Sequence, residues 1–179
     1  MKQKYKYHLA FLLGIALVVA SLAGCARKPV VDTKKAYMQD IYNDLKKALP
    51  NNEAEVVVLE DSVKVIFKNA VLFPVAQAEI LEEMYPSFER FAKVLNKYVN
   101  TNMIITGHTD NTGTREGNRI LSEERAQNTK RLLMTYNVDG ERMTPMGQGE
   151  LVPIADNDTA AGRAKNRRIE FIILYNNQL

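Results

Sequence analysis

Along residues 54–175, short β-branched runs alternate with longer stretches in which apolar residues recur every three or four positions. That alternation restricts the chain to helices packed on a sheet, an α/β layer arrangement. Glu55 to Leu59 and Val63 to Phe67, separated by Glu60-Asp61-Ser62, predict two strands joined by a tight turn. Leu72-Phe73-Pro74 follows, with Pro74 unable to donate a ladder bond. From Gln77 to Tyr98, Ile80, Leu81, Met84, Phe88, Phe91, Leu95 and Tyr98 keep helical spacing, predicting an amphipathic helix broken or kinked near Pro86. Met103-Ile104-Ile105 leads into Gly107 as a short buried strand. A second helix is expected from about Glu116 to Tyr136, through Ile120, Leu121, Arg125, Leu132 and Leu133. Arg168 to Tyr175 alternates and then becomes apolar, a final strand. No internal repeat or low-complexity tract interrupts this order.

The N-terminal part of the sequence has a different logic. Lys2, Lys4 and Lys6 precede an apolar stretch from Leu9 to Ala20, and the small-residue run Ala20-Ser21-Leu22-Ala23-Gly24 precedes Cys25. This reads as a secretory signal peptide over residues 1–24. The apolar stretch falls well short of the roughly 20 residues that cross a bilayer as a helix. Cys25 is the sole cysteine in the sequence, so no internal disulfide can form. Leu22-Ala23-Gly24-Cys25 resembles the bacterial lipobox, which implies acylation of Cys25 and membrane attachment by more than one acyl chain. Residues 25–52 then read as a lipidated tether with a short helix through Ala36, Met38, Ile41, Tyr42 and Leu45, ended by Pro50-Asn51-Asn52. The folded domain is expected over residues 53–179.

Charge separates two classes of partner. The sequence carries 24 Lys+Arg against 21 Asp+Glu, a formal +3. Removing residues 1–24 takes away three lysines and no acid, leaving 21 against 21. A formally neutral chain has no electrostatic motive for binding nucleic acid.

Catalytic equipment is sparse. Beyond residue 25 there is one histidine, His108, with no Gly-rich phosphate loop, no Cys or His pair at metal spacing and no Gly-x-Ser-x-Gly. The sequence therefore predicts neither an enzyme nor a metal or cofactor site. His108 reads as a structural hydrogen-bonding residue. What stands out is polarity concentrated in three stretches: Gly107-His108-Thr109-Asp110-Asn111-Thr112-Gly113 after the buried strand, Asn118 with Leu121 to Ala126 on the second helix, and Asn157, Gly162-Arg163 and Asn166-Arg167-Arg168 before the last strand. On a helix, Asn118, Ser122 and Arg125 lie at i, i+4 and i+7 and share a face, with Asp110 at the strand end beside it. Each residue alone has a plainer reading. Asp110 suits a turn, and Arg125 a surface pair with Glu123 or Glu124. Arg163 and Arg167 fit either a ligand role or a tie between the final loop and neighbouring carboxylates.

Taken in order and at this spacing, the three stretches resemble the OmpA-like C-terminal domain family, which includes the peptidoglycan-associated lipoproteins. The resemblance runs from about Val63 to Tyr175. It implies an α/β sandwich of two main helices on a mixed sheet of about four strands, and binding to the diaminopimelate of the peptidoglycan stem peptide. It places the paired binding residues on Asp110 and Arg125, with Asn118, Thr112, Leu121 and Arg168 in support. The chemistry agrees with the pair. The end of a diaminopimelate side chain carries an ammonium, which suits Asp110, and a carboxylate, which suits the planar fork of Arg125. Lysine-type stems lack that carboxylate and would leave Arg125 unpaired. One departure is visible, since Phe73-Pro74-Val75 stands where many members carry an acidic or hydroxyl residue after the Phe.

The expected role is an outer-membrane lipoprotein that faces the periplasm and holds the cell wall. A second reading is a trans-envelope assembly lipoprotein in which residues 30–49 recruit a protein partner.

Overall fold

The computed structural model describes residues 33–68, 72–74 and 76–176. The signal segment and the Cys25 lipobox lie outside these residues, as does Val75. Helix α1 (Thr33–Ala48) comes first, followed by strands β1 (Ala54–Val58) and β2 (Ser62–Lys68). A 3-10 turn (Glu82–Met84) runs into α2 (Tyr85–Lys97), β3 (Thr101–His108) and α3 (Arg115–Thr135) follow, and a second 3-10 turn (Gly140–Arg142) precedes the next strand. After β4 (Met143–Gly149) and the short α4 (Ala160–Asn166), the described fold ends with β5 (Arg168–Tyr175).

The five strands form one mixed sheet in the order β1-β2-β5-β3-β4. Only β3 and β4 pair in parallel; the other neighbours are antiparallel. Alternation along the strands puts Val63, Val65, Phe67, Ile105, Ile169, Phe171 and Ile173 on one face, all fully buried. There Phe67 stacks on Phe88 with centroids 4.8 Å apart, and Phe91 meets Phe171 edge-on at 4.7 Å. The fold is the α/β sandwich that the sequence predicts. The count of about four strands is corrected to five, because β4 carries almost no strand signal. Its sequence, Met-Thr-Pro-Met-Gly-Gln-Gly, lacks β-branched residues apart from Thr144 and carries a proline and two glycines.

Two helix expectations also change. Residues 76–81 are not helical, and Pro86 sits in the first turn of α2 instead of kinking a longer helix. A first-turn position is where a residue without an N–H is tolerated. Helix α3 runs as expected and ends in a Schellman motif: Asn137 takes φ 64°, Val138 N–H donates to Leu133 O and Asn137 N–H to Met134 O.

The reading of residues 25–52 as a tether is corrected from Thr33 onward. Helix α1 belongs to the compact unit Thr33–Leu179. Met38, Ile41, Leu45 and Leu49 join the main core, each at most 2% exposed. Tyr37 sits edge-on against both Tyr98 and Tyr175. Asp44 accepts from Lys97 at 2.6 Å and from the Tyr98 hydroxyl at 2.8 Å, and Arg90 donates to the Ala48 carbonyl at 3.0 Å. The apolar spacing is visible in the sequence. The charged residues between, which form the helix's outer face, make it look solvated.

On the opposite face of the sheet, β5 and β3 carry a buried polar cluster. Arg168 is 2% exposed, donates to Glu170 at 2.6 Å and is covered through bonds to the Asn166 and Val152 carbonyls. Lys64 also reaches Glu170, at 2.6 Å. These two cations hold the Glu170 carboxyl below its ordinary value against the upward push of burial. His108 lies beside them, 3% exposed, and neither ring nitrogen has a hydrogen-bond partner among the described residues. The expected hydrogen-bonding role of His108 is therefore not what the fold shows. Burial first, and then Arg168 and Lys64, push its pKa down to about 4, so the imidazole is neutral at neutral pH.

Replacing Leu45 with Ala is expected to destabilise the fold by about 2–5 kcal/mol, because a core side chain is lost; a change below about 0.5 kcal/mol in denaturant unfolding would return α1 to the status of a tether. His108 supplies a second expectation. Its folded value lies below the ordinary 6.5. The unfolded chain therefore takes up a proton that the native one refuses, and stability falls as pH drops through that window. Between about pH 7 and about pH 4.5 the loss attributable to this residue is about 2–3 kcal/mol, and His108→Leu should remove it from the pH profile of unfolding.

Candidate functional site

The site begins with an unusually close contact between helix and sheet. A Cβ on Gly107 would lie 2.1 Å from the Ser122 carbonyl oxygen, and one on Gly147 would lie 2.6 Å from the Glu123 nitrogen. Only glycines in β3 and β4 let α3 settle at this depth. Ser122 completes the contact, accepting from Gly149 N at 2.9 Å and donating to the Arg119 carbonyl at 2.8 Å. A bulge between Gly107 and His108 shifts the register against β4 just before the chain leaves the sheet. The polar stretch Thr109 to Gly113 then starts directly above the first turns of α3. Thr114 caps that helix, its hydroxyl accepting from Gly117 N at 3.1 Å.

An open cleft of about 340 Å³ forms there, bordered by Phe73, Pro74 and Ala76, by Thr109, Asp110 and Thr112, by Asn118, Leu121 and Arg125, and by Arg163 and Arg167. Five of the six predicted ligand residues line it: Asp110, Thr112, Asn118, Leu121 and Arg125. Arg168 does not; it belongs to the buried cluster with Glu170 on the other face of the sheet. The alternation that makes the last strand legible sends adjacent residues to opposite sides, and it is Arg167 that faces the cleft.

Asp110 serves both as a turn former and as an acid of the cleft. One carboxylate oxygen accepts from Thr112 N at 2.9 Å, a turn-forming bond within the loop. The other pairs with Arg167 at 2.7 Å. Burial pushes the Asp110 carboxyl up, but the bonds from Arg167 and Thr112 outweigh it and hold the group below its ordinary 3.8, so it is an anion at neutral pH. Asn118 braces the loop, donating to the Asp110 carbonyl at 3.2 Å and to Glu150 at 2.6 Å.

Arg125 is 2% exposed yet poorly satisfied. Its Nε donates to the Gln77 carbonyl at 3.0 Å, and its guanidinium lies 4.8 Å from the Phe73 ring centroid. The two terminal nitrogens have no protein partner among the described residues. Arg142, buried in part at the other end of the sheet, shows what a structural arginine does instead. It donates to Thr101, Tyr98 and Leu95 carbonyls and to the Thr101 hydroxyl. Burial, and then the nearby Arg167, lower the Arg125 pKa to about 10, with Asp110 opposing; it remains a cation. A fixed, flat, charged fork with unfilled donors is suited to a carboxylate.

Arg163 and Arg167, which the sequence leaves undecided, both border the cleft. Arg163 also donates to the Asn157 carbonyl at 2.7 Å, and Asn157 in turn accepts from Asn166 at 2.8 Å. Pro74 offers the cleft no side-chain donor or acceptor, in keeping with the departure noted at Phe73-Pro74-Val75. Ala76 takes φ 57°, a left-handed conformation that a residue with a Cβ rarely adopts, on the rim of the cleft.

Comparison with known proteins places these features in context. The outer membrane porin F of Pseudomonas aeruginosa is 33% identical over 156 residues, covering 84% of this chain and 45% of that protein. The peptidoglycan-binding protein ArfA of Mycobacterium tuberculosis is 32% identical over 115 residues, covering 64% of this chain and 35% of the relative. The chain spans less than half the length of these curated relatives. Among solved structures, the cell wall anchor of the type VI secretion system from Pseudomonas aeruginosa aligns with a TM-score of 0.66 and 32% identity, covering 77% of this chain and 96% of that one. Residues 72–167, which hold Phe73, Asp110, Arg125 and Arg167 and make up more than half of the sequence, match the OmpA family, and the protein belongs to it.

Proposed function

We propose that this chain is a lipid-anchored envelope protein that holds peptidoglycan non-covalently, taking the diaminopimelate of a stem peptide into the Asp110–Arg125 cleft, and that it works as a binding module and not as an enzyme. The observation that carries the reading is the pairing in one cleft of an ionised carboxylate with a buried guanidinium whose terminal donors have no partner among the described residues. The ligand's side-chain ammonium answers the first and its carboxylate the second. A relative named for peptidoglycan binding and a solved cell wall anchor support attachment to the wall.

Charge-assisted bonds contribute about 1.5–3 kcal/mol each, and association itself is costly. A single cleft of this kind therefore binds at about micromolar to millimolar strength. For a protein fixed to a membrane and facing a polymer of identical stems, effective concentration turns that into durable attachment. The lipobox at Cys25 supplies the fixing point, in an outer membrane with the domain on the periplasmic side. The assembly alternative, in which residues 30–49 recruit a protein partner, finds less support, because Met38, Ile41, Leu45 and Leu49 turn into the protein's own core.

In a sedimentation assay with insoluble diaminopimelate-type peptidoglycan, the full chain in detergent should pellet with the wall. Arg125→Lys, which keeps the charge but not the fork, and Asp110→Asn should each weaken binding by about tenfold or more while circular dichroism stays unchanged. Variants that pellet like wild type would remove the cleft from wall binding. For the anchor, mass spectrometry of membrane-extracted protein should find Cys25 acylated and N-terminal; an unmodified Cys25 inside a longer chain would refute lipidation.

A further inference from the structure

In the free cleft Asp110 is already paired. Both Asp110 oxygens are engaged, one by Thr112 N at 2.9 Å and the other by Arg167 at 2.7 Å. An ammonium arriving at Asp110 either shares the carboxylate with Arg167, which crowds two cations onto one acid, or displaces that cation, which is covalently part of the wall of the cleft. Arg167 is able to yield, since its side chain is 33% exposed and its bond to Asp110 is its sole side-chain hydrogen bond among the described residues. Once displaced, it stands beside Arg125, which already feels its charge.

The charge count sharpens the point. Arg125, Arg163 and Arg167 face the cleft against one lining carboxylate, Asp110, an excess of two positive charges. The end of a diaminopimelate side chain is a zwitterion with no net charge. It satisfies Asp110 and Arg125 and leaves the excess where it was. A ligand that matches this cleft must bring at least one further anion to the place where Arg167 is released.

Resting on the function proposed above, we infer that Arg167 is an exchangeable latch: it neutralises Asp110 in the free protein and, when the ligand ammonium takes its place, pairs with a second ligand carboxylate. The cleft then selects stem peptides whose carboxyl groups are free over stems in which that second carboxyl is an amide. An amide keeps the size but loses the charge, and it leaves Arg167 with neither Asp110 nor a new partner. The second carboxylate can be the one on the D-glutamate or the main-chain one of the diaminopimelate. Both have the same chemistry, and two singly amidated ligands tell them apart.

The test is calorimetric titration of the full chain in detergent with N-acetyl-L-alanyl-γ-D-glutamyl-meso-diaminopimelate, with the D-glutamate α-amide, and with the diaminopimelate main-chain amide. Wild type should bind one of the two amides about tenfold more weakly than the free acid, the loss of one charge-assisted contact. Arg167→Met should bind that amide and the free acid within about twofold of each other, since the group that reads the difference is gone. Equal binding of all three ligands by wild type, or a tenfold preference that survives in Arg167→Met, overturns the latch. If those results come with loss of binding in Arg125→Lys, the wall-binding cleft stands without the latch. If wild type binds none of the three, both fall together.

Discussion

The depth at which α3 sits on β3 and β4 is the constraint from which the site follows. Gly107 and Gly147 leave no room for a Cβ beneath the Ser122–Glu123 backbone. Because the helix is seated this low, its first turns meet the loop that leaves β3, and Asn118 can brace Asp110 from below. Further along the same face, Arg125 reaches the floor of the same cleft. Moving the helix outward by the width of a methyl group would separate the carboxylate from the guanidinium without altering either residue. The glycine before His108 is thus as much a part of the site as the charged residues, though it touches no ligand.

The arginines show how one residue type serves opposite ends. Arg142 and Arg168 are saturated by carbonyls and carboxylates and fasten elements together. Arg125 is buried as deeply as Arg168, but its two terminal nitrogens have no protein partner among the described residues. Burial without satisfaction destabilises a fold, so a buried group left unsatisfied marks a candidate site. The distinction lies in hydrogen-bond partners, and no count of charges along the sequence displays it.

Much of the architecture is legible in the sequence. The hairpin and the buried third strand read from short apolar and β-branched runs, the long helix and the last strand from their periods, and the resemblance to the OmpA-like family points to Asp110, Thr112, Asn118, Leu121 and Arg125, which share one cleft. The failures have physical causes. Strand β4 is held by parallel pairing with β3 and by proximity to α3, so its glycines and proline tell of contact and not of propensity. Helix α1 has the right apolar spacing, but its outward face is so charged that only the docking of Tyr37 and Asp44 reveals it as core. The resemblance names Arg168 and leaves Arg167 undecided, because a motif gives neighbours without saying which way each points. In a strand, one position of error is one whole face of the sheet.

Helix α1 also determines how the fold meets mechanical force. Tyr37 lies between Tyr98 of the α2 C-cap and Tyr175 of the final strand, and Asp44 is bonded to Lys97 and Tyr98. A pull applied at Thr33 therefore loads several side-chain contacts of α1 before it reaches the sheet. Without α1, the same pull would enter at β1, an edge strand whose five pairs with β2 can separate in succession. Resistance to such a load depends on the rate of forced unfolding more than on equilibrium stability. By placing a packed helix ahead of its edge strand, the chain puts core contacts between a load at that end and the first strand pair.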